Sequence, residues 1–442
     1  MLLSNVPGYF KSRRDSLMKA QPGAAFIFAA SPEYLRNPDV HFPFRQESNF
    51  YYLTGFEEPE AFVVMVPTGS QGRGSYKTVM FVRKRDPEKE MWEGERYGTE
   101  GAMKIFGADE AYLHEEFDRK LPELIRASEK IYYRVGMDES TDRRVLAALE
   151  THRRSMGRSG KALSPILDPN EVIGEMRLFK SPEEAETLRK ACQITARAHT
   201  IAMKEVRPGM NESEIEALID YELRRGGCQR VGYGSIVAGG KNAACLHYRH
   251  NNEVLRDGDL LLVDAGGEHN YYTSDITRTF PVGRKFTAGQ AKAYDLVLKS
   301  QLEAIALAKP GATMPAIHQK ATEVLIDGML SLGLLKGKAS AVFKTLEYKR
   351  FYPHGTGHWL GMDVHDVGLY MKNGEPRTLE AGMCFTIEPG FYVQPGDREV
   401  AAEFRNIGIR IEDDILITAN GHDILTRDVV KTRDDIENLR AH

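Results

Sequence analysis

The feature that most constrains this chain is an order of elements that occurs twice between residues 182 and 412. Pro182-Glu183-Glu184 opens a helix in which Leu188, Ala191, Thr195, Ala198, Ile201 and Val206 recur at helical spacing, and Arg207-Pro208-Gly209 stops it. Asn211 with Glu214 fits a capping box for a second helix, which ends near Gly226-Gly227. The apolar run Leu260 to Val263 then leads into Asp264. Gly266-Gly267 and Glu268-His269-Asn270 supply turn chemistry, and a β-branched and aromatic stretch from Tyr271 to Phe280 returns with Asp275. The second pass follows the same order. Thr287 with Gln290 caps a helix, Lys309-Pro310-Gly311 stops it, and a further helix runs from about Pro315 to Gly333. Met383 to Ile387 leads into Glu388, and Ile407 to Glu412 returns. A duplicated unit that faces itself brings four carboxylates to its central seam.

Side chains alternate along a strand, so the returning arm of the first half is expected to place Tyr271, Thr273, Asp275, Thr277 and Thr279 on one face. In the second half the isoleucines share one face, and Arg410 and Glu412 the other. A hairpin can hold Asp264 against Asp275, and two carboxylates at close range in an apolar setting need a raised pKa, a cationic partner or a metal. An isolated pair at this spacing is more often a turn cap and a solvated acid. The matched second pair, Glu388 and Glu412, favours a metal.

At 442 residues the chain exceeds one ordinary core, so two domains are expected, with boundaries at 1–170 and 171–442. A formal net charge of −4 points to no nucleic-acid surface, and clusters such as Arg83-Lys84-Arg85 and His152-Arg153-Arg154 read as solvated faces. Cysteines at 192, 228, 245 and 384 form no C-x-x-C, which suits buried thiols in a reducing compartment. Met1 to Phe10 has no apolar core of a secretion signal, and no run approaches a membrane span. A soluble cytoplasmic protein is the expectation.

The first 170 residues read as an α/β domain. Ala24 to Ala30, Ala61 to Val66 and Thr78 to Val82 are strand-like, and Glu116 to Ser128 and Arg143 to His152 are helical. Phe44 to Gly55 reads as strand and loop, and Leu167 to Glu183, with Pro169 and Pro182, as a linker.

Between the two halves lies His354-Gly355-Thr356-Gly357-His358, followed by Asp363-Val364-His365-Asp366. The glycines argue against a helix, and the glutamate of a zinc-protease H-E-x-x-H motif is missing, so a functional loop is expected instead. Asp264, Asp275, Glu388 and Glu412 carry four negative charges, and His358 adds a neutral nitrogen. Two divalent cations balance that set. Ligation rich in oxygen with one imidazole suits Mn(II), with Co(II), Fe(II) or Zn(II) as alternatives, and paired metals sharing a water serve hydrolysis.

The strings DAGG…SDITRTFPV, HGTGHWLGMDVHDVG, TIEPGFY and GIRIEDD resemble the pita-bread metallopeptidases. RNPDVHFPFRQESNFYYLTGF extends the likeness through the first domain, toward the aminopeptidase P branch. The resemblance implies an α/β N-terminal domain and an α+β pita-bread domain with an internal pseudo-twofold repeat and a curved, mostly antiparallel sheet. It implies two manganese ions held by Asp264, Asp275, His358, Glu388 and Glu412, with Asp275 and Glu412 bridging.

Carried over residue by residue, His247 and His354 contact the substrate and the developing oxyanion, and His365 shapes the proline end of the pocket. Glu388 doubles as proton shuttle, and Arg410 and Tyr392 orient ligands and substrate. The expected substrates are peptides with proline second, and the expected assembly is a homodimer or homotetramer with no nucleic-acid or membrane partner. Asp39 and Trp92 resemble first-domain residues that reach an active site. Two other readings stand beside this one: a dipeptidase with the same ligands, and a metal-free peptide-binding module of the same fold.

Overall fold

The structure is a computed structural model that describes residues 8–68, 75–158 and 164–441. Met1 to Pro7, within the stretch read above for a secretion signal, lie outside the described residues. The chain divides into two compact units, Met1–Met176 and Arg177–His442.

In the first unit the apolar runs form a six-stranded mixed sheet. Its order is Glu110–Leu113, Tyr76–Val82, Phe62–Pro67, Ala24–Ala29, Lys130–Tyr132 and Ile166–Leu167. The three central strands pair antiparallel, and the outer pairings are parallel. Ala25, Ile27, Phe62, Val64, Val66, Val79 and Phe81 pack on one face against Phe117, Leu121 and Ile125 and against Val145, Ala148 and Leu149 of the helix Glu139–Ser155. Their neighbours on the other face, Phe26, Val63, Met65 and Met80, are equally buried. A sheet covered on both faces explains why these strands read as unbroken apolar runs and not as alternating ones.

Two expectations fail in this unit. Ser48–Thr54 is a helix, not strand and loop. Glu47 caps it by accepting from Phe50 N at 2.7 Å, and Gly55 closes it at φ 69°, so local end signals outweigh the β-propensity of Phe50, Tyr51 and Tyr52. The expected linker also holds a helix, Asn170–Leu178, started where Asp168 accepts from Asn170 N at 2.8 Å.

The second unit repeats its architecture as its sequence does. Helices Pro182–Glu205 and Glu212–Gly226 precede a three-stranded antiparallel sheet of Ile236–Gly239, Leu260–Ala265 and Ile276–Pro281. Helices Ala288–Ala306 and Met314–Ser331 precede a second one of Cys384–Ile387, Asp413–Thr418 and Gly421–Ile424. Capping boxes are present at Ser181/Glu184, Asn211/Glu214 and Thr287/Gln290. A shared core draws Val263, Ile276 and Phe280 from the first half and Ile407, Ile409 and Ile411 from the second.

The returning arm of the first half is not the continuous strand expected. Asn270 and Tyr271 are left-handed, at φ 49° and 67°, and Tyr272–Thr273 pairs with Gly267–His269 in a separate small sheet. Thr273 therefore leaves the face shared by Asp275 and Thr277. The break leaves Asp275 immediately before its strand, and Glu412 occupies the same place before Asp413–Thr418. Asp264 and Glu388 lie at the ends of the strands that pair with those two. Both sheets thus offer their acids from equivalent edges.

Candidate metal centre

The acids meet where the two sheets meet. Glu412 N donates to Thr277 O at 3.1 Å, and Thr279 Oγ1 bonds both Arg410 O, at 3.0 Å, and Arg410 N, at 3.2 Å. Beneath this join, fully buried Arg278 reaches Asp413 Oδ1 at 2.7 Å and also bonds the carbonyls of Val429 and Val430. Arg278 and Lys431 hold Asp413 down to about 2 against the effect of its own burial. The seam is therefore tied by charge beneath and open to acids above.

Asp275, His358 and Glu412 each offer one ligand atom within 4.8 Å of the others. His358 Nε2 lies 3.4 Å from Asp275 Oδ2 and 3.6 Å from Glu388 Oε1. Its Nδ1 is 3.1 Å from Trp359 O, the contact that fixes a tautomer with Nε2 free to ligate. Asp264 joins the group through Tyr233, whose hydroxyl bonds Asp264 Oδ1 at 2.6 Å and also Asp275 Oδ1. Arg410 donates to Asp264 Oδ2 at 2.5 Å and to Tyr392 Oη at 3.0 Å, and Tyr392 pairs with His354 Nε2 at 2.8 Å. All five expected ligands, with His247, His354, His365 and Arg410, line one cavity of about 440 Å³. Tyr392 stands behind it, 1 % exposed.

Gly357 of the histidine loop has a steric reason. Thr386 N donates to His358 O at 2.9 Å and Glu388 N to Thr356 O at 2.8 Å, so the loop lies directly on the Glu388 strand. A Cβ on Gly357 would stand 1.9 Å from Thr386 O.

Crowded acids show their strain electrostatically. Burial, with the charge of Asp264, raises Asp275 against hydrogen bonds from His358 and Tyr233. Burial and the neighbouring acids push Glu388 up to about 7 and Glu412 well above the carboxylate range. Burial opposes a charged His358, yet Asp275 and Glu388 hold it up to about 9. Burial and the Arg410 charge bring His354 down to about 3. Four acids face few cations at this site, so the donor set fits divalent metal, whose charge would offset the repulsion among the acids.

Two residues escaped sequence reasoning. Tyr233 lies between glycines in a loop before an apolar strand, a weak signal that only the geometry makes specific. Arg249 lines the cavity from an exposed position. Asp39, between the short strands Leu35–Asn37 and Val40–His41, and Trp92, 84 % exposed on the helix Pro87–Glu93, both belong to the first unit, whereas the acids belong to the second.

A seam of this kind, with paired acids and a histidine in a cleft, defines a metal-dependent hydrolase. The chain belongs to metallopeptidase family M24, whose model matches residues 186–419, and the aminopeptidase P N-terminal domain matches residues 10–132. It is 42 % identical over 431 residues to the Xaa-Pro aminopeptidase of Escherichia coli (strain K12), covering 97 % of each chain. It is 34 % identical over 416 residues to human Xaa-Pro aminopeptidase 3, covering 93 % of this chain and 80 % of that one. Among solved structures, Pseudomonas aeruginosa aminopeptidase PepP superposes with a TM-score of 0.94 at 43 % identity, covering 99 % of this chain and 98 % of that one. An Escherichia coli aminopeptidase P variant in complex with substrate gives 0.93 at 42 % identity, covering 98 % and 97 %.

Proposed function

We propose that this chain is a binuclear-metal aminopeptidase that hydrolyses the bond between an N-terminal residue and a following proline. The observation that carries the reading is the convergence of Asp264, Asp275, His358, Glu388 and Glu412 in one cleft, in a chain that matches Xaa-Pro aminopeptidases over 97 % of its length. Asp264, Asp275, His358, Glu388 and Glu412 would hold the ions, manganese first by the oxygen-rich donor set. Bound ions supply a water of lowered pKa and polarise the scissile carbonyl.

The chain's own groups do the rest. Thr277 Oγ1 donates to Glu412 Oε2 at 2.5 Å and Tyr233 to Asp264 and Asp275, so the ligating oxygens are held before anything binds. His247 faces the cleft as a hydrogen-bond donor to the substrate carbonyl as it gains charge, and neutral His354, its ring nitrogens on Gly355 O and Tyr392 Oη, lines the wall beside it. A bond to proline has no N–H and leaves as a secondary amine, so its nitrogen must receive a proton. Glu388, between His354 at 3.8 Å and His358 at 3.6 Å, is placed to carry that proton from the attacking water. His365, ring to ring with His358 at 4.3 Å, walls the proline end.

No helix among the described residues is long and apolar enough to cross a membrane. We place the enzyme in the cytoplasm, acting as a dimer or tetramer on peptides. A panel of Xaa-Pro peptides of increasing length tests the reading. Ala-Pro-Pro should be cut before its first proline, lose cleavage with chelator and regain it with Mn(II). Activity confined to dipeptides would make the chain a dipeptidase, and a protein with neither bound metal nor activity would be a binding module.

A further inference from the structure

Between the strands Ile236–Gly239 and Leu260–Ala265 the chain runs through a long connection in which Leu246, His247 and Arg249 line the cleft. Apart from a short 3-10 helix at Gly240–Ala244 the segment is irregular, so many of its main-chain groups need partners outside a strand ladder. One buried carboxylate supplies several of them. Glu212, the first residue of the helix Glu212–Gly226, is fully buried. Its Oε1 accepts from Gly239 N at 2.7 Å and Asn242 Nδ2 at 3.0 Å. Its Oε2 accepts from Tyr248 Oη at 2.9 Å and Glu253 N at 3.0 Å. The start of the connection and its course as far as Glu253 are therefore gathered on one side chain. All four donors are neutral, and the positive end of the helix adds to them.

Tyr248 is the neighbour of His247, and burial with the Glu212 hydrogen bond pushes its phenol up to about 12. Tyr248 and Leu246 pack inward on Ile236, Ala238, Leu262 and Tyr392. His247, between these two half-buried residues, is itself exposed and lines the cleft beside His354 and His365.

We propose that Glu212 positions His247, fixing the imidazole in the cleft it shares with the acids through Tyr248, Gly239 and Glu253. The proposal rests on His247 serving the reaction as described above. Glu212 touches no substrate and acts only through the histidine.

Hydrogen–deuterium exchange on the full-length protein reads the connection directly. In Glu212→Gln, whichever way the amide turns, its NH₂ faces either Gly239 N–H or Glu253 N–H, and one buried main-chain donor loses its acceptor. Exchange across residues 239–253 should then rise by about tenfold or more, while the strands bearing Asp264 and Glu388 keep their protection. Tyr248→Phe should raise it less and only near residue 248. On an Xaa-Pro tripeptide with Mn(II), Glu212→Gln should lower kcat about tenfold with KM within about threefold, and should have no further effect in a His247→Ala background. Unchanged exchange at 239–253, an equal rise throughout the unit, or additive losses in the double variant would overturn the proposal. A wild-type protein that cuts no such peptide would end the functional reading instead, and the exchange result would still decide whether Glu212 holds the connection.

Discussion

Glu388 offers the sharpest quantitative test, because without metal its carboxyl is held by the fold in an unfavourable place. Burial, with the charges of Asp275 and Asp264, moves it from 4.5 to about 7, against relief from His358 and Arg410. A carboxyl whose folded value lies above its unfolded one costs nothing below the unfolded value. The cost grows as pH rises from 4.5 and is complete above about 7. At about 1.4 kcal/mol for each tenfold change in acidity, that interval amounts to roughly 3 kcal/mol of lost stability. Glu388→Gln removes the charge and keeps the shape. In excess chelator, urea unfolding should find the variant about 3 kcal/mol more stable than wild type near pH 8, and within about 0.5 kcal/mol of it near pH 4. With Mn(II) present the order should reverse, since the variant has lost a ligand. A difference that is the same at both pH values, or a chelated variant less stable at pH 8, would refute the reasoning.

Three further outcomes follow from the same geometry. His365→Ala should weaken preference for proline over alanine in the second position while leaving metal content unchanged, as measured by kcat/KM on paired peptides and by metal analysis. Gly357→Ala, whose Cβ would stand 1.9 Å from Thr386 O, should displace His358 from the Glu388 strand and weaken Mn(II) affinity at least about tenfold by calorimetry. Because His358 is held up to about 9, it carries a proton at neutral pH without metal. Mn(II) binding near pH 7 should therefore release at least about one proton per chain, visible as a dependence of the binding heat on the buffer, and apparent affinity should rise with pH up to about 9.

The family and the two-part architecture were legible in the sequence because their signals are local and repeated. Capping boxes at Asn211 and Thr287 mark helix starts whatever packs above them, and an apolar run ending on an acid twice over is a pattern that chance rarely supplies. What escaped depended on contacts remote in sequence or on unusual backbone. The helix Ser48–Thr54 has Phe50, Tyr51 and Tyr52, which favour strands, at its centre, and the cues to it were Glu47 and Gly55 at its ends. The break before Asp275 follows from left-handed Asn270 and Tyr271, and an ordinary tyrosine in that conformation leaves no trace in hydrophobic periodicity. Tyr233 bonds acids 31 and 42 residues away, and Glu212 collects donors from 27 to 41 residues away. No window of sequence contains such relations, although each one governs how the cleft is held.

Metal content, measured after equilibrium dialysis against Mn(II), tests the central claim most directly. The wild-type chain should hold two ions, and Asp275→Ala and Glu412→Ala should each hold fewer than one while remaining folded by circular dichroism. A folded wild-type protein that binds no divalent ion, or variants that keep both, would contradict the assignment of this seam as a metal centre.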